Sequence, residues 1–278
     1  MTDIAAQQLR ATRFRAMHRG PKALLLPNVW DVASARVIED AGFPAIATTS
    51  AGIAFSLGYA DGQRISRDEM LARVGRIVRA VTVPVTADGE AGYGGRPEDA
   101  VQTAAGIIEV GAVGLNLEDG TSDPAVPLVD RALQVEKIRA VREAARKASV
   151  ELVLNARTDV YWNEVGPPEL RYGEALLRAR AYRDAGADCI FVPGLRDPET
   201  ISRLVRDVEC PLNILAGPGS APVSELEKLG VARVSLGSGP MRATLGLLRR
   251  LAEELKNNGT YHALEHAPSY VEVNQLVK

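Results

Sequence analysis

A (β/α)8 barrel of the TIM type is the fold class this sequence predicts, and three observations predict it. At 278 residues the chain exceeds a usual single domain, yet one α/β barrel commonly runs to about 250 residues. Short apolar runs alternate with longer stretches of helical periodicity, as βα units on a parallel sheet do. The punctuation also repeats: AGFP at Ala41–Pro44, VGAV at Val110–Val113, AGAD at Ala185–Asp188 and LGVA at Leu229–Ala232. Each places a glycine where a helix needs a left-handed residue after its last turn, just ahead of an apolar run. An open doubly wound sheet is the alternative architecture.

Taken in order, eight apolar runs that end in turn or polar residues read as strands: Ala23–Pro27, Ala45–Thr48, Val83–Ala87, Val113–Leu117, Glu151–Asn155, Cys189–Val192, Leu212–Leu215 and Arg233–Leu236. Amphipathic segments lie between them: Asp31–Ala41, Arg67–Ala80, Pro97–Val110, Val129–Lys147, Leu170–Ala185, Pro198–Val208 and Val223–Leu229. A last helix, Pro240–Lys256, stops at Asn257-Asn258-Gly259. The barrel, N-terminal helix included, is therefore assigned to residues 1–256, and residues 257–278 to a C-terminal helical extension.

The 33 basic and 35 acidic side chains nearly cancel, and no Lys/Arg run tracks a phosphate backbone, which argues against nucleic acid as a partner. Cys189 and Cys210 stand far apart beside apolar segments, so neither a disulfide framework nor a thiolate zinc site is expected. The N-terminus has no continuous apolar region, and no run approaches the ~20 residues that span a bilayer. The expectation is a cytoplasmic protein without a membrane partner.

Residues just past the strands carry the chemistry: Trp30 and Asp31, then Thr49, Ser50 and Gly52, then Asp88 and Glu90, then Glu118 and Asp119, then Asn155, Arg157 and Asp159. A barrel gathers these positions at one mouth. Asp88, Glu90 and Glu118 would repel there; two like charges about 4 Å apart cost about 4 kcal/mol at an effective dielectric of about 20. Hard oxygen ligands without His or Cys select Mg²⁺ or Mn²⁺, so the three are read as a metal site. The alternative leaves Asp88 and Glu90 as solvated caps of the helix at Pro97. Gly92, Gly94 and Gly95 let the chain turn sharply beside the acids. Arg157 is expected to clamp a substrate carboxylate, against the alternative of a salt bridge to Glu118 or Asp159. TTSAGIA after the second strand offers small-residue amides to an oxyanion.

His18, His262 and His266 fall outside the strand-end loops, and the six lysines sit on helices, at the chain end or ahead of a strand. Histidine acid/base and Schiff-base chemistry are both disfavoured. Glycine-rich loops at Ala216–Pro222 and Ser235–Pro240 keep a phosphosugar-type barrel in view, with ordinary turns as the alternative.

The ordered set WD, TTSAG, GYAD, DGEAGYG, LED and NARTD resembles the isocitrate lyase/phosphoenolpyruvate mutase superfamily over residues 20–245. The resemblance implies a Mg²⁺-binding barrel acting on a 2-oxo acid or its enol, in a homotetramer whose last helix is exchanged between barrels. It places Asp88, Glu90 and Glu118 at the metal, with Glu90 where aspartate is usual. Asp61 becomes a catalytic acid in the loop after strand two, alongside Glu118 and Arg157, and Trp30, Thr49, Ser50, Ala51, Gly52 and Arg157 become substrate contacts. The chain departs from the family in its loop after Glu118, DGTSDPAVPLVD, which lacks the lyases' cysteine-bearing K-[KR]-C-G-H and the mutase's Lys and Asn.

The expected function is that of a Mg²⁺-dependent lyase or decarboxylase of a small 2-oxo or 2-hydroxy diacid, oxaloacetate decarboxylase-like. The alternatives are mutase or phosphonopyruvate hydrolase chemistry, and a binding barrel without catalysis. Cleavage of a substituted malate would need a base, for which Tyr93, Asp61 and Ser122 are the nearest candidates. Protonation of a succinate leaving group would fall to Thr121, Ser122 or Asp123.

Overall fold

The computed structural model describes residues 3–121 and 123–278. Nine parallel strands form the sheet, in the order β1-β9-β8-β7-β6-β5-β4-β3-β2. They are β1 Leu24–Leu26, β2 Asn28–Val29, β3 Ile46–Thr48, β4 Val85–Asp88, β5 Gly114–Glu118, β6 Val153–Arg157, β7 Cys189–Phe191, β8 Leu212–Leu215 and β9 Arg233–Ser235. The sequence suggests eight, and Pro27 explains the difference. Proline has no N–H to give a ladder, so the first barrel strand is split: β1 pairs with β9 and β2 pairs with β3, which closes the ring.

The helices are α1 Ile4–Met17, α2 Val32–Asp40, α3 Ser50–Ser56, α4 Arg67–Ala80, α5 Pro97–Glu109, α6 Arg131–Lys147, α7 Pro168–Asp184, α8 Pro198–Val208, α9 Val223–Lys228, α10 Gly239–Asn258 and α11 Tyr270–Leu276. Local chemistry sets their ends. Asp31 and Ser34, and Ser66 and Glu69, form reciprocal caps at the starts of α2 and α4. Gly42, Gly111, Gly186 and Gly230 take φ between +83° and +110° at the four helix stops that the sequence marks. One element differs from expectation: TTSAGIA is a helix from Ser50 rather than a turn. The tail carries α11, the expected helical extension, which packs on α2.

Helix α1 covers the lower end of the barrel. Gln7 donates to Ile108 O and Ala112 O at 2.8 and 2.9 Å, Arg15 pairs with Asp188 at 2.6 Å, and Phe14 packs in the central apolar cluster. By contrast α10, the helix after the last strand, buries only Met241 and leaves Leu245, Leu248 and Leu255 exposed. No helix among the described residues is long and apolar enough to cross a membrane.

Phe14 is fully buried, so Phe14→Ala should destabilise the chain by about 3–5 kcal/mol in urea unfolding. A loss below about 1 kcal/mol would show that α1 is not part of the barrel's core.

Candidate active site

One wall of the barrel mouth is built on β3, α3 and β4. Thr48 Oγ1 accepts from Asp88 N at 2.9 Å, and Asp88 Oδ2 accepts from Ser50 N at 3.0 Å, which ties the carboxylate to the first turn of α3. Its other oxygen, Oδ1, is buried with no partner among the described residues. The chain then turns through left-handed residues, Glu90 at φ +47°, Gly92 at +98° and Tyr93 at +57°. Glycine takes this region freely; Glu90 and Tyr93 do so at a cost of about 1–3 kcal/mol each. The turn is held from behind: buried Lys137 donates to Ala91 O and Gly94 O at 3.1 and 3.2 Å, Arg67 to Tyr93 O at 3.0 Å, and Thr103 to Gly92 O at 2.7 Å. Glu90 accepts from Tyr93 OH and from Gln63 N.

The opposite wall is an ion network at the ends of β5 and β6. Arg157 Nη1 meets Glu118 at 2.8 Å, and Nε and Nη2 grip Asp159 at 2.6 and 3.0 Å. The guanidinium also lies 5.7 Å from the Phe191 ring and 5.9 Å from the Trp162 ring. Behind it, Asp119 accepts from Asp159 N, Tyr182 OH and Arg178 Nη1 at 2.9, 2.6 and 3.1 Å. Gly120 makes room for this: a Cβ there would lie 2.2 Å from Asp159 Oδ2. The salt-bridge alternative for Arg157 is therefore present with both acids, while two of its five N–H groups remain uncommitted.

Between the walls lies a cavity of about 110 Å³. It gathers Thr49, Ser50, Ala51, Asp61, Asp88 and Arg157 from the residues that the sequence singles out. Ala51 N has no partner among the described residues, whereas the amides of Thr49, Ser50 and Gly52 are taken by Val29 O, Asp88 and Thr49 Oγ1. Gly52 on α3 faces Trp30, both off the cavity lining, and Glu90, Tyr93 and Glu118 stand behind the wall. Thr121 and Asp123 also stay off it. Their loop closes on itself through Thr121 O–H to Val126 O and Ala125 N to Asp123, and lies beside Asn163–Gly166. Ser122 lies outside the described residues. The glycine-rich loops spend their amides internally: Leu236 N and Gly237 N both donate to Asn28 Oδ1 at 2.8 Å, and Gly217 N to Ser220 Oγ. That removes most of the donors a phosphate would need. Sequence reasoning missed Asn28, Asn116 and Lys137, since an Asn inside a strand or a Lys on a helix carries no signal for what it faces.

Burial, then Asp88, pushes the Glu90 carboxyl up to about 7. The same two causes raise Asp61, although solvent reaches it at the cavity rim and screens the effect. Burial raises Glu118 and Asp159 while the adjacent guanidinium opposes it. Burial works against the charge of Arg157, but Glu118 and Asp159 prevail and keep it cationic. Among the described residues no three His, Cys, Asp or Glu side chains gather closely enough to enclose a metal ion. The donor set nonetheless fits Mg²⁺: Asp88, with its unpartnered Oδ1, would be the residue to hold it, and Mg²⁺ ordinarily needs only one or two carboxylates and water.

The phosphoenolpyruvate phosphomutase family model matches residues 14–256. The chain belongs to that family. A relative in Mycobacterium tuberculosis, uncharacterized, is 37% identical over 232 residues, 84% of each chain. A putative lyase/mutase from Burkholderia cenocepacia J2315 superposes with a TM-score of 0.92 at 38% identity, covering 98% of this chain and 96% of that one. Oxaloacetate acetylhydrolase, solved with its product oxalate, gives a TM-score of 0.84 at 25% identity over 96% and 93% of the two chains. Phosphonopyruvate hydrolase, solved with oxalate and Mg²⁺, shares the fold. Among these relatives are the lyases and mutases of the isocitrate lyase/phosphoenolpyruvate mutase superfamily, and this chain is an enzyme of that superfamily.

Because the Glu90 carboxyl is raised to about 7, the folded state loses stability as pH rises from the ordinary carboxylate value towards that one. In chelated buffer, Glu90→Gln should match the parent's melting temperature near about pH 4 and exceed it increasingly from the ordinary carboxylate value of 4.5 up to about 7, the difference staying level above that. A difference independent of pH would show that folding does not raise the Glu90 carboxyl.

Proposed function

We propose that this chain is a Mg²⁺-dependent lyase or decarboxylase of a small 2-oxo dicarboxylic acid, with oxaloacetate decarboxylation as its model reaction. One observation carries the reading: Asp88, whose Oδ1 is buried and uncommitted, and Arg157 line one cavity that Thr121 and Asp123 do not reach. Such a site suits a cleavage whose leaving group needs no proton. The oxalate-bound relatives support a 2-oxo acid or its enolate as the ligand class.

When bound beside Asp88, Mg²⁺ would supply Lewis-acid charge to the substrate's carbonyl oxygen. The remaining work belongs to the chain. The two uncommitted N–H groups of Arg157 donate to a substrate carboxylate, and Ala51 N donates to an oxygen in which negative charge develops. The C–C bond to the distal carboxylate breaks, CO₂ leaves without a proton, and the electron pair delocalises into the neighbouring carbonyl as an enolate. Protonation of that carbon by water gives the 2-oxo monoacid. Isocitrate-type cleavage differs, because it leaves a carbanion on succinate that must be protonated at once.

The same reading includes a homotetramer with α10 exchanged between barrels, supported by the exposed leucines of that helix. It also includes a cytoplasmic location, supported by the two free cysteines, Cys189 and Cys210.

EDTA should abolish oxaloacetate decarboxylation and Mg²⁺ or Mn²⁺ should restore it, with 2-methylisocitrate turned over far more slowly in the same assay. Full activity of the chelated enzyme, or equal rates on both substrates, overturns the assignment. No turnover across oxaloacetate, 2-methylisocitrate, dimethylmalate and phosphonopyruvate would favour a binding barrel.

Arg157→Lys keeps the charge but loses the fork, so kcat/KM should fall by the equivalent of about 2–5 kcal/mol. Its bonds to Glu118 and Asp159 mean that stability should fall too. A stability loss with unchanged kinetics would confine Arg157 to the network.

A further inference from the structure

Beneath the cavity floor Arg233, the first residue of β9, has no exposed surface. A guanidinium is costly to take out of water and is ordinarily matched by a carboxylate. Among the described residues Arg233 has no ion pair: Nη2 donates to Asn116 Oδ1 at 3.3 Å, while Nε and Nη1 have no partner. Desolvation brings its pKa down to about 10, which still leaves a cation at neutral pH.

A guanidinium has donors only, so the Asn116 atom that meets it has to be the carbonyl oxygen. The same Oδ1 accepts from Asn155 Nδ2 at 2.8 Å. Flipping the amide would set an NH₂ group against two donors, and its orientation is thereby fixed. Nδ2 of Asn116 has no partner among the described residues, and the side chain, 7% exposed, lines the cavity. Its strand neighbours are Asp88 on β4 and Asn155 on β6, two residues before Arg157.

We propose that Asn116 contacts substrate, its Nδ2 donating to a carboxylate oxygen of the bound 2-oxo acid, and that Arg233 is the positioning residue that holds the amide in this orientation. The inference rests on the 2-oxo-acid reading of the site.

Oxalate binding in Mg²⁺, measured by calorimetry, tests this on the parent chain, Asn116→Leu, Arg233→Met and the double variant. Asn116→Leu should bind about 10- to 100-fold more weakly, the range of one hydrogen bond to a charged group. Arg233→Met removes an unpaired buried charge and should keep or raise the melting temperature while weakening oxalate several-fold. The double variant should bind no more weakly than Asn116→Leu alone, because Arg233 acts through the amide. Parent-like binding by Asn116→Leu, or independent losses that add in the double variant, overturns the proposal. Failure of the parent chain to bind oxalate overturns the 2-oxo-acid reading itself, and this inference with it.

Discussion

The guanidinium of Arg157, gripped between Glu118 at 2.8 Å and Asp159 at 2.6 Å, is the contact on which the barrel mouth depends. It ties the end of β5 to the end of β6, and the tie continues outward through Asp119 to Tyr182 and Arg178 on α7. An exposed pair would contribute at most about 1 kcal/mol, whereas removing one partner of a buried pair costs about 3–5 kcal/mol. The five charged groups from Glu118 to Arg178 therefore behave as one unit. A loop that carries them cannot drift without leaving a charge unmatched.

The facing wall follows another logic. Asp88 is held by Thr48 and Ser50 through its amide and one oxygen, and the loop after it is clamped by Lys137, Arg67 and Thr103 through backbone carbonyls. Rigid support surrounds a single oxygen left without a partner. One wall satisfies its charges and the other withholds one contact. Under the proposed reading a cation would bind there without the wall reorganising, which is how fixed dipoles and charges act most strongly. The left-handed Glu90 and Tyr93 show where backbone strain is stored to bring this about.

The fold was legible because its signals are local. A glycine that needs positive φ, an Asp or Ser reaching its own helix's amides, and an apolar run of three to five residues are each decided by neighbours in the chain. Gly42, Gly111, Gly186 and Gly230 stop helices where the sequence marks them, and Ser66 with Glu69 starts one. The first strand reads as ending at Pro27, yet the chain pairs again at Asn28–Val29 on the other side of the proline, because which strand a residue pairs with depends on its neighbours in space. TTSAGIA reads as a small-residue turn, but a helix starts there, and Asp88, from 38 residues away, takes the amide of Ser50.

By itself the sequence determined the barrel, the identity of the acids at its mouth, and the family to which they belong. Residue type and spacing along the chain decide those. Only the tertiary structure decided which groups are already spent: that Arg157 is matched by two acids, that the amides of the glycine-rich loops belong to Asn28 and Ser220, and that Asp88 Oδ1 and Asn116 Nδ2 remain uncommitted while Asn116 Oδ1 is taken. The physical reason is that satisfaction of a polar group is a property of its surroundings in space. Partners such as Arg233 and Asn116, 117 residues apart in the chain, meet only when the barrel closes.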